Sequence, residues 1–223
     1  MREEHAVSTT IYLLRHAETL FNVQGKTQGW CDSPLTERGI QQARLTGLEY
    51  ARRGIKIDHA FSSTSERCCD TLEIATEAAY GAPMPYERLK GLKELNFGAY
   101  EGKDQFLENH QGDFNHFYVQ FGGEDFDEAT LRLQNTLAGL AEAHDGESIL
   151  CCSHGGIAIQ FFNNWLEHSE VHKLMFSNCL TYVYEYDQGI FTCKDVFVAD
   201  LSSLEQPGMP QQVRVIEHFG EKR

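Results

Sequence analysis

Residues 9–16 read TTIYLLRH, an apolar and β-branched run that ends abruptly at an arginine and a histidine. The run lacks the polar alternation of a half-exposed strand, so it predicts a strand buried on both faces. Residues 147–154, ESILCCSH, follow the same pattern and end at a second histidine. Buried strands of this kind belong to parallel sheets that helices cover on both sides. The two stretches therefore predict an α/β fold with His16 and His154 at strand ends.

Helical periodicity and turn residues predict the remaining elements. They are helices at about 37–53, 64–81, 124–144 and 155–168, a strand at 55–63, and a hairpin over 179–200 that turns at 187–189. The stretch 82–123 is predicted to hold loops or a short helical insertion, because it is long and irregular. Alternating strands and helices predict three α/β/α layers around a mostly parallel central sheet, with an antiparallel hairpin at its edge. No linker interrupts the pattern, so residues 1–223 are predicted to form a single domain.

Composition argues against several classes of function. Nineteen Lys and Arg residues against 33 Asp and Glu residues give a net charge of −14, which disfavours nucleic acid and anionic membrane surfaces as partners. No segment approaches the roughly 18 apolar residues of a membrane span, and residues 1–10 lack the apolar core of a secretory signal. Seven cysteines without a C-x-x-C pair predict reduced, mostly buried thiols, and hence a cytoplasmic protein.

Cationic groups are predicted to meet at one edge of the sheet. Ligands of open α/β sheets bind beyond the carboxyl ends of the strands, so His16 and His154 share a crevice if their strands are neighbours. Arg15 precedes His16, Arg67 lies in the first turn of a helix, and Gly155 opens a helix whose N–H groups favour an anion. Each group alone has an ordinary interpretation as a solvated surface residue. Together they suit the oxygens of a phosphoryl group.

Five motifs then occur in a recognisable order. They are RHAETxxN at 15–22, SSxxxRxxxT at 62–71, KELNFGAYEG at 93–102, GGE at 122–124 and CSHGG at 152–156. In this order the chain resembles the histidine phosphatase superfamily, in the branch of cofactor-dependent phosphoglycerate mutases and related phosphatases. The resemblance spans roughly residues 10–200 and implies a phosphohistidine mechanism.

The resemblance implies a role for each main site residue. His16 is the expected nucleophile, neutral because neighbouring cations depress its pKa. Arg15, Arg67 and His154 are expected to hold the phosphoryl oxygens and stabilise the charge of the transition state. Glu94 is expected to give a proton to the leaving oxygen and then to accept one from water. Such a carboxyl group needs a raised pKa.

Further positions have weaker assignments. Asn22 and Gln28 match superfamily positions that donate hydrogen bonds to substrate, although either is also an ordinary turn residue. Glu101 and Glu124 are interpreted as structural carboxylates. Cys152 lies inside an apolar strand and is predicted to be a buried, inert thiol. There is no H-E-x-x-H motif, and residues 110–116 are interpreted as a polar loop, so neither a metal site nor another cofactor is predicted.

Two residues depart from the superfamily pattern. Ala17 stands where glycine is usual, and its methyl group narrows the backbone conformations allowed there. Asp125 stands where serine is common. It either adds negative charge near an anion site or caps the helix that begins there.

Phosphatase chemistry is favoured over mutase chemistry. Mutases of this branch carry extra Arg and Lys residues before the second histidine, whereas residues 95–153 hold only Lys103 and Arg132 as cations. The predicted substrate is a small phosphate monoester with a neutral or apolar leaving group, and residues 114–121 offer aromatic surface for it. The alternatives are a phosphoglycerate mutase-type phosphotransferase and a catalytically silent protein that binds a phosphorylated ligand.

Oligomeric state is left open by the sequence. Tyr182, Tyr184 and Tyr186 form a row on the predicted hairpin. The row either pairs with a second subunit, which would make a homodimer, or packs under a helix.

Overall fold

The computed structural model describes residues 8–105, 115–171, 174–204 and 214–216. The strands in these ranges are β1 (Thr9–Arg15), β2 (His59–Ser63), β3 (Tyr86–Leu89), β4 (Ser148–Ser153), β5 (Leu174–Phe176), β6 (Thr181–Asp187), β7 (Ile190–Phe197) and β8 (Arg214–Ile216). The α-helices are α1 (Leu20–Gln24), α2 (Glu37–Arg52), α3 (Glu66–Tyr80), α4 (Phe126–Ala143) and α5 (Gly155–Asn164). Short 3-10 helices cover Lys90–Leu92, Gly98–Tyr100, Val119–Phe121 and Leu166–His168.

The central sheet places the two predicted histidine-bearing strands side by side. Its order is β3-β2-β4-β1-β6-β7, and β5 pairs with β8 in a separate two-stranded sheet. Strand β1 pairs with β4 in parallel, with Arg15 opposite Ser153, whereas β6 and β7 are antiparallel. The predicted α/β class, mostly parallel sheet and edge hairpin are therefore confirmed.

The core lies on both faces of this sheet. Alternate residues of β1 point to opposite sides, as the period of a strand requires. Ile11 and Leu13 join the cluster that contains the apolar faces of α4 and α5. Leu14 joins the cluster on the other side, with residues of α2 and α3. Because both faces are covered, consecutive residues of β1 such as Leu13 and Leu14 are both apolar, which explains the run that ends at Arg15.

Helix capping explains where two of the predicted helices begin. The Thr36 side chain accepts a hydrogen bond from the Gly39 N–H, as expected of an N-cap. Asp125 caps α4, because its Oδ1 accepts from the N–H groups of Asp127 and Glu128 at 2.8 and 3.1 Å. Of the two interpretations of Asp125, the structure supports the helix cap.

Some elements differ from the sequence-based expectation. Strand β3 lies inside the stretch predicted to be irregular and pairs in parallel with β2 at the sheet edge. Four residues with no buried side chain give no recognisable period. Helix α5 ends at Asn164 rather than 168, and Leu166–His168 continues as a 3-10 turn. Helix α1, the β5–β8 pair and β3 were missed because each is too short for a periodic signal.

The tyrosine row of the hairpin packs inside the protein. Tyr182, Tyr184 and Tyr186 are buried, and Tyr184 meets Phe161 of α5 with ring centroids 5.2 Å apart. The interpretation that the row packs under a helix is therefore the one that the structure supports. The row no longer argues for a homodimer.

The structure agrees with the prediction of mostly buried thiols. Cys31 is half-buried and the other six cysteines are buried, and all seven are free thiols. Burial raises the pKa of Cys152 well above its usual range, as expected of an inert thiol. In the part of the chain that the structure describes, no helix combines the length and the hydropathy needed to cross a bilayer.

Candidate active site

His16 follows β1 directly and is held in one tautomer. Its Nδ1 lies 2.8 Å from the carbonyl oxygen of Ala17. A carbonyl only accepts, so Nδ1 carries the proton and Nε2 presents its lone pair. Among the described residues no group bonds to Nε2. Burial, with the charges of Arg67 and Arg15, holds the pKa of His16 well below 6.5, so the ring is neutral and nucleophilic at neutral pH.

Arg15 is a nearly buried guanidinium without an anionic partner. It is 9% exposed, and its Cζ lies 4.1 Å from the centre of the Phe176 ring. Its Nε is buried with no hydrogen-bond partner, and none of the described side chains forms an ion pair with it. Burial lowers the pKa of Arg15, although the charge of Glu94 opposes this effect. A buried cation without a bound anion is costly, so this position favours an anionic ligand.

Arg67 differs from Arg15, because both of its terminal nitrogens donate hydrogen bonds to other groups of the protein. Nη1 donates to the Cys31 carbonyl and to Asp32 Oδ1, both at 2.9 Å. Nη2 donates to the Gly29 carbonyl and to His154 Nδ1, both at 2.8 Å. Arg67 thus ties the 29–32 loop to the end of β4. Its predicted contact with a phosphoryl group stays a prediction.

His154 lies beside His16 with both ring nitrogens engaged. The two ring centroids are 5.4 Å apart. Nδ1 accepts from Arg67, so in the neutral ring Nε2 carries the proton and donates to Ser63 Oγ at 2.8 Å. Burial, followed by the charge of Arg67, holds the pKa of His154 well below 6.5. His154 is therefore a neutral, oriented ring next to the nucleophile.

Glu94 occupies the N-terminus of α5, where the sequence predicted an external anion. Its Oε2 accepts from the Gly156 N–H at 2.8 Å, and Oε1 accepts from the N–H groups of Ile157 at 2.8 Å and Leu95 at 3.0 Å. Burial raises the pKa of Glu94, although these backbone bonds act in the opposite direction. The structure therefore brings Glu94 into the site and assigns these two N–H groups of the helix to it.

The two glycines that open α5 make room for charged side chains. A Cβ at Gly155 would lie 2.7 Å from Nε of Arg15, and a Cβ at Gly156 would lie 3.1 Å from both carboxylate oxygens of Glu94. Any larger residue at 155 would displace the guanidinium. Gly155 thus has a steric reason to be glycine, beside the predicted contact of its N–H with substrate.

Asn22 and Gln28 take part in networks within the first loop. Asn22 Oδ1 accepts from the Thr19 N–H at 3.1 Å and from Asn178 Nδ2 at 3.2 Å. Gln28 Oε1 accepts from the Thr19 hydroxyl at 2.7 Å, and its Nε2 donates to Ser33 Oγ at 3.1 Å. Both amides retain an N–H that these bonds do not use. Their contact with substrate stays a prediction.

Several residues that position the site were not predicted from the sequence. A buried arginine needs an acidic partner, which was a signal for Asp32, and Ser63 stands in the SSxxxR motif. Asn178 donates to the His16 carbonyl at 3.2 Å, and Phe176 lies against Arg15. These last two are about 160 residues from β1 along the chain, so no local pattern pointed to them.

Comparison with known proteins identifies the family. The sequence matches the family described as "Histidine phosphatase superfamily (branch 1)" over residues 11–198. This chain belongs to that superfamily. The protein named "Probable phosphoglycerate mutase GpmB" from Salmonella paratyphi A is 30% identical over 222 residues, which cover 92% of this chain and 99% of the relative. A broad-specificity phosphatase of Saccharomyces cerevisiae is 29% identical over 187 residues, which cover 79% of each protein.

A solved structure of the same superfamily supports the fold. The phosphoglycerate mutase from Bacillus anthracis superposes with a TM-score of 0.75 at 24% identity, covering 90% of this chain and 97% of that chain. The predicted superfamily, its phosphoglycerate mutase-like branch and the enzyme class of histidine phosphatase are thereby confirmed.

Departures from the superfamily motifs cause no strain here. Ala17 is buried in the cluster on the α2 and α3 side, its N–H donates to Thr71 Oγ1 at 3.0 Å, and its φ is not positive. A Cβ is therefore accommodated without cost to the backbone.

The structural carboxylates of the superfamily motifs hold loops. Glu101 accepts from the N–H groups of Gly29, Trp30, Cys31 and Phe97. Glu124 pairs with Arg132 at 2.9 Å. Arg132 also donates to the carbonyl oxygens of Lys90, Gly91, Lys93 and Glu94. Arg132 therefore braces the segment that carries Glu94.

Proposed function

We propose that this enzyme is a metal-independent phosphomonoesterase that forms a phosphohistidine at His16 and uses Glu94 as proton donor. One observation carries the proposal. Among the described residues, the Nε2 lone pair of His16 has no hydrogen-bond partner, and the preceding residue, Arg15, is a buried guanidinium that forms no ion pair. A nucleophile beside a cation that no ion pair occupies suits attack on a phosphate ester.

The first half-reaction transfers the phosphoryl group to the protein. His16 Nε2 attacks phosphorus as the bond between phosphorus and the ester oxygen breaks. The proton on Nδ1 stays in place, and the Ala17 carbonyl that accepts it stabilises the positive charge that the ring acquires. Arg15 binds the phosphoryl oxygens and offsets their negative charge. Arg67 holds the surrounding loop and contributes positive potential, and His154 lies beside the nucleophile as a neutral ring.

Glu94 then serves as acid and as base. Its Oε2 accepts a single backbone bond, whereas Oε1 accepts two, so Oε2 is the oxygen that carries the transferable proton. This proton goes to the leaving oxygen. In the second half-reaction the carboxylate takes a proton from water, whose oxygen attacks phosphorus and breaks the bond to His16. Inorganic phosphate leaves, and both residues return to their starting protonation states.

The cations near the site support a monophosphate as substrate. Arg132 is committed to Glu124 and backbone carbonyl oxygens, and the Lys103 ammonium lies 5.7 Å from the centre of the Tyr100 ring. Arg132 is therefore already paired and does not compensate a second phosphate. Aromatic rings of the 115–121 segment pack with Phe97 and Tyr100, and Phe97 adjoins Gly29 of the first loop. They provide apolar surface for a leaving group; Phe114 of the predicted aromatic stretch lies outside the described residues.

Mutase activity is a second candidate, favoured by the relative from Salmonella paratyphi A that is named as a probable phosphoglycerate mutase. Lys93 precedes Glu94, and its ammonium lies 4.6 Å from the centre of the Trp30 ring. A cation at this position could pair with the carboxylate of a phosphoglycerate. Mutase chemistry would also require water to be excluded from the phosphohistidine.

The deciding experiment measures inorganic phosphate release in excess EDTA from wild type and from His16→Ala. The substrates are 3-phosphoglycerate, a sugar phosphate, a nucleotide and an aromatic phosphate. The control is His168→Ala, which removes an imidazole from the Leu166–His168 turn. We expect release from wild type and from the control, and none above background from His16→Ala.

The other outcomes separate the alternatives. Release that survives in His16→Ala contradicts the mechanism. No net release, with phosphoryl exchange between phosphoglycerates after priming with a bisphosphate, supports the mutase. If neither activity is found, the remaining alternative is the catalytically silent protein that binds a phosphorylated ligand.

A further inference from the structure

A second group of two histidines and one glutamate lies at the opposite edge of the sheet. His59 is the first residue of β2, His144 caps the C-terminus of α4, and Glu147 immediately precedes β4. Strands β2 and β4 are parallel and both run from this edge toward His16. The group is therefore separate from the phosphatase site and has no part in the proposed hydrolysis.

The three side chains converge on one oxygen. Glu147 Oε2 lies 2.9 Å from His59 Nε2 and 3.1 Å from His144 Nδ1. The two imidazole rings lie against each other, with centroids 3.9 Å apart and planes 33° apart. All three candidate ligand atoms lie within 4.8 Å of one another.

We propose that His59, His144 and Glu147 form a binding site for a transition-metal dication, with Zn²⁺ as the best match. Two imidazoles and a carboxylate are the ligand types that suit zinc, copper and nickel, whereas magnesium and calcium prefer oxygen ligands. Solvent supplies the remaining coordination positions, because His59 and Glu147 are 40% and 45% exposed at their side chains.

The spacing of the ligand atoms fits such an ion. Tetrahedral zinc with bonds of about 2.0–2.1 Å places neighbouring ligand atoms about 3.3 Å apart. The two nitrogen-to-oxygen distances, 2.9 and 3.1 Å, are within a few tenths of an ångström of this spacing, and the two nitrogens lie within 4.8 Å of each other. An ordinary three-residue hydrogen-bond network shows the same distances, and the experiment must separate the two.

The surrounding backbone already fixes the three positions. The Glu147 N–H donates to the His144 carbonyl at 3.0 Å, and the Thr9 hydroxyl donates to the same carbonyl at 3.1 Å. The Glu147 carbonyl accepts from the Thr10 N–H of β1 at 3.0 Å. Little chain entropy is therefore lost when an ion binds. The net charge of −14 also attracts dications.

Metal binding requires the coordinating nitrogens of His59 and His144 to be free of protons. The ring nitrogens that face Glu147 Oε2 are the ones that would bind the ion. Each ring that coordinates the ion carries its proton on the other nitrogen, and any proton displaced from the coordinating nitrogen goes to solvent. No oxidation or reduction takes place.

Short-range motifs could not find this group. His59 and His144 are 85 residues apart along the chain, and only the pairing of β2 with β4 brings them together. The sequence-based expectation of no metal site rested on the missing H-E-x-x-H pattern, which tests one local arrangement of ligands.

The test uses untagged, EDTA-treated and desalted full-length protein. Isothermal titration calorimetry with ZnCl₂ measures affinity and stoichiometry, and Co²⁺ titration monitors visible absorption, which reports coordination geometry. The variants are Glu147→Gln and His59→Asn, with His168→Asn as the matched control. Far-ultraviolet circular dichroism and Tm without metal establish that each variant is folded.

We expect one Zn²⁺ per wild-type chain with micromolar or tighter affinity, and the same for His168→Asn. Loss of outer-shell groups costs about 10–100-fold in metal affinity, so each ligand variant should lose at least about 100-fold. Phosphate release in EDTA should be equal in all four proteins. Absence of saturable binding in wild type, or equal binding by folded Glu147→Gln and His59→Asn, would overturn the proposal and leave a hydrogen-bond network.

Discussion

The two ends of the central sheet carry the same residue types in different settings. At the carboxyl edge lie His16, His154 and Glu94, and at the amino edge lie His59, His144 and Glu147. The first three are at most 5% exposed, and each bonds to a different group. The last three are partly exposed and bond to one another.

The difference between the edges explains their different chemistry. Burial and the neighbouring arginines keep the His16 ring neutral, and these arginines repel cations, so the carboxyl edge suits an anion. At the amino edge the described ion pairs of Glu147 are with the two imidazoles, and its negative charge suits a cation. Two histidines and a glutamate do not specify a function by composition, because their neighbours decide which ligand they bind.

Arg15→Leu tests the anion preference of the carboxyl edge most strongly. An arginine that stabilises phosphoryl-transfer charge contributes about 10³–10⁵-fold in rate, so kcat/KM should fall by about 10³-fold or more. The Tm should change little, because the described protein groups accept no hydrogen bond from this guanidinium. Steady-state kinetics and thermal unfolding measure the two effects. A fall in kcat/KM below tenfold would mean that the free guanidinium does not bind the phosphoryl group.

Glu94→Gln tests the proton donor through its pH profile. The raised pKa of Glu94 extends its protonated form upward in pH, so kcat/KM of wild type should fall as pH rises through that pKa. The lowered pKa of His16 keeps the nucleophile neutral on the acid side of 6.5. Activity should therefore persist in mildly acidic buffer. The variant should lose about 10²–10⁴-fold in kcat together with the basic limb.

The substrate provides the control for this prediction. An aromatic phosphate with a good leaving group needs less protonation, so it should lose less activity in Glu94→Gln than a sugar phosphate does. Equal losses for both substrates, with the basic limb intact, would assign the proton to another group.

Arg67→Met should lower the stability of the protein, whereas Arg15→Leu should change it little. Its guanidinium is fully buried and bonds to Gly29, Cys31, Asp32 and His154, so its loss should lower the free energy of unfolding by about 3–5 kcal/mol. Urea denaturation measures this. Arg52→Met, at an exposed ion pair of α2, should leave the stability close to wild type. A stable Arg67→Met protein would show that these bonds do not hold the loop.

Gly155→Ala tests the space that Arg15 needs. The added Cβ would overlap Nε of Arg15, and such overpacking costs about 1–3 kcal/mol. Activity should fall because the guanidinium is displaced. Gly139→Ala in α4 is the matched control, since a Cβ there meets no atom within 4 Å, and it should gain about 0.5–1 kcal/mol. Unchanged kinetics of Gly155→Ala would place Arg15 outside the reaction.

Glu147→Gln should change stability and phosphate release less than the other substitutions do. The pairs of Glu147 with His59 and His144 are solvent-accessible, so their loss should cost less than about 1 kcal/mol in stability without metal. Chemical denaturation in EDTA and phosphate-release kinetics check this. A large loss of phosphatase activity would show that the two edges of the sheet are coupled, and would contradict the separation of the two sites.

How much the sequence predicts depends on how far apart the partners lie along the chain. Buried strands, long helices, the Thr36 cap and the hairpin turn follow from local patterns, and their bounds differ from the structure by a few residues. His16, Arg67 and His154 follow from their positions at strand and helix ends. The edge strand β3 was missed, because a short strand without buried side chains has no period to detect.

By itself the sequence determined the apolar strands, the order of the motifs and the membership of the superfamily, because each of these rests on residues close together in the chain. Tertiary structure decided which arginine is free, which carboxylate fills the N-terminus of α5, and which tautomer His154 adopts. These depend on contacts between segments separated by tens of residues or more, such as Arg67 with Gly29 and Glu94 with Gly156. Only folding sets those distances, and electrostatic and hydrogen-bond energies depend on distance and burial.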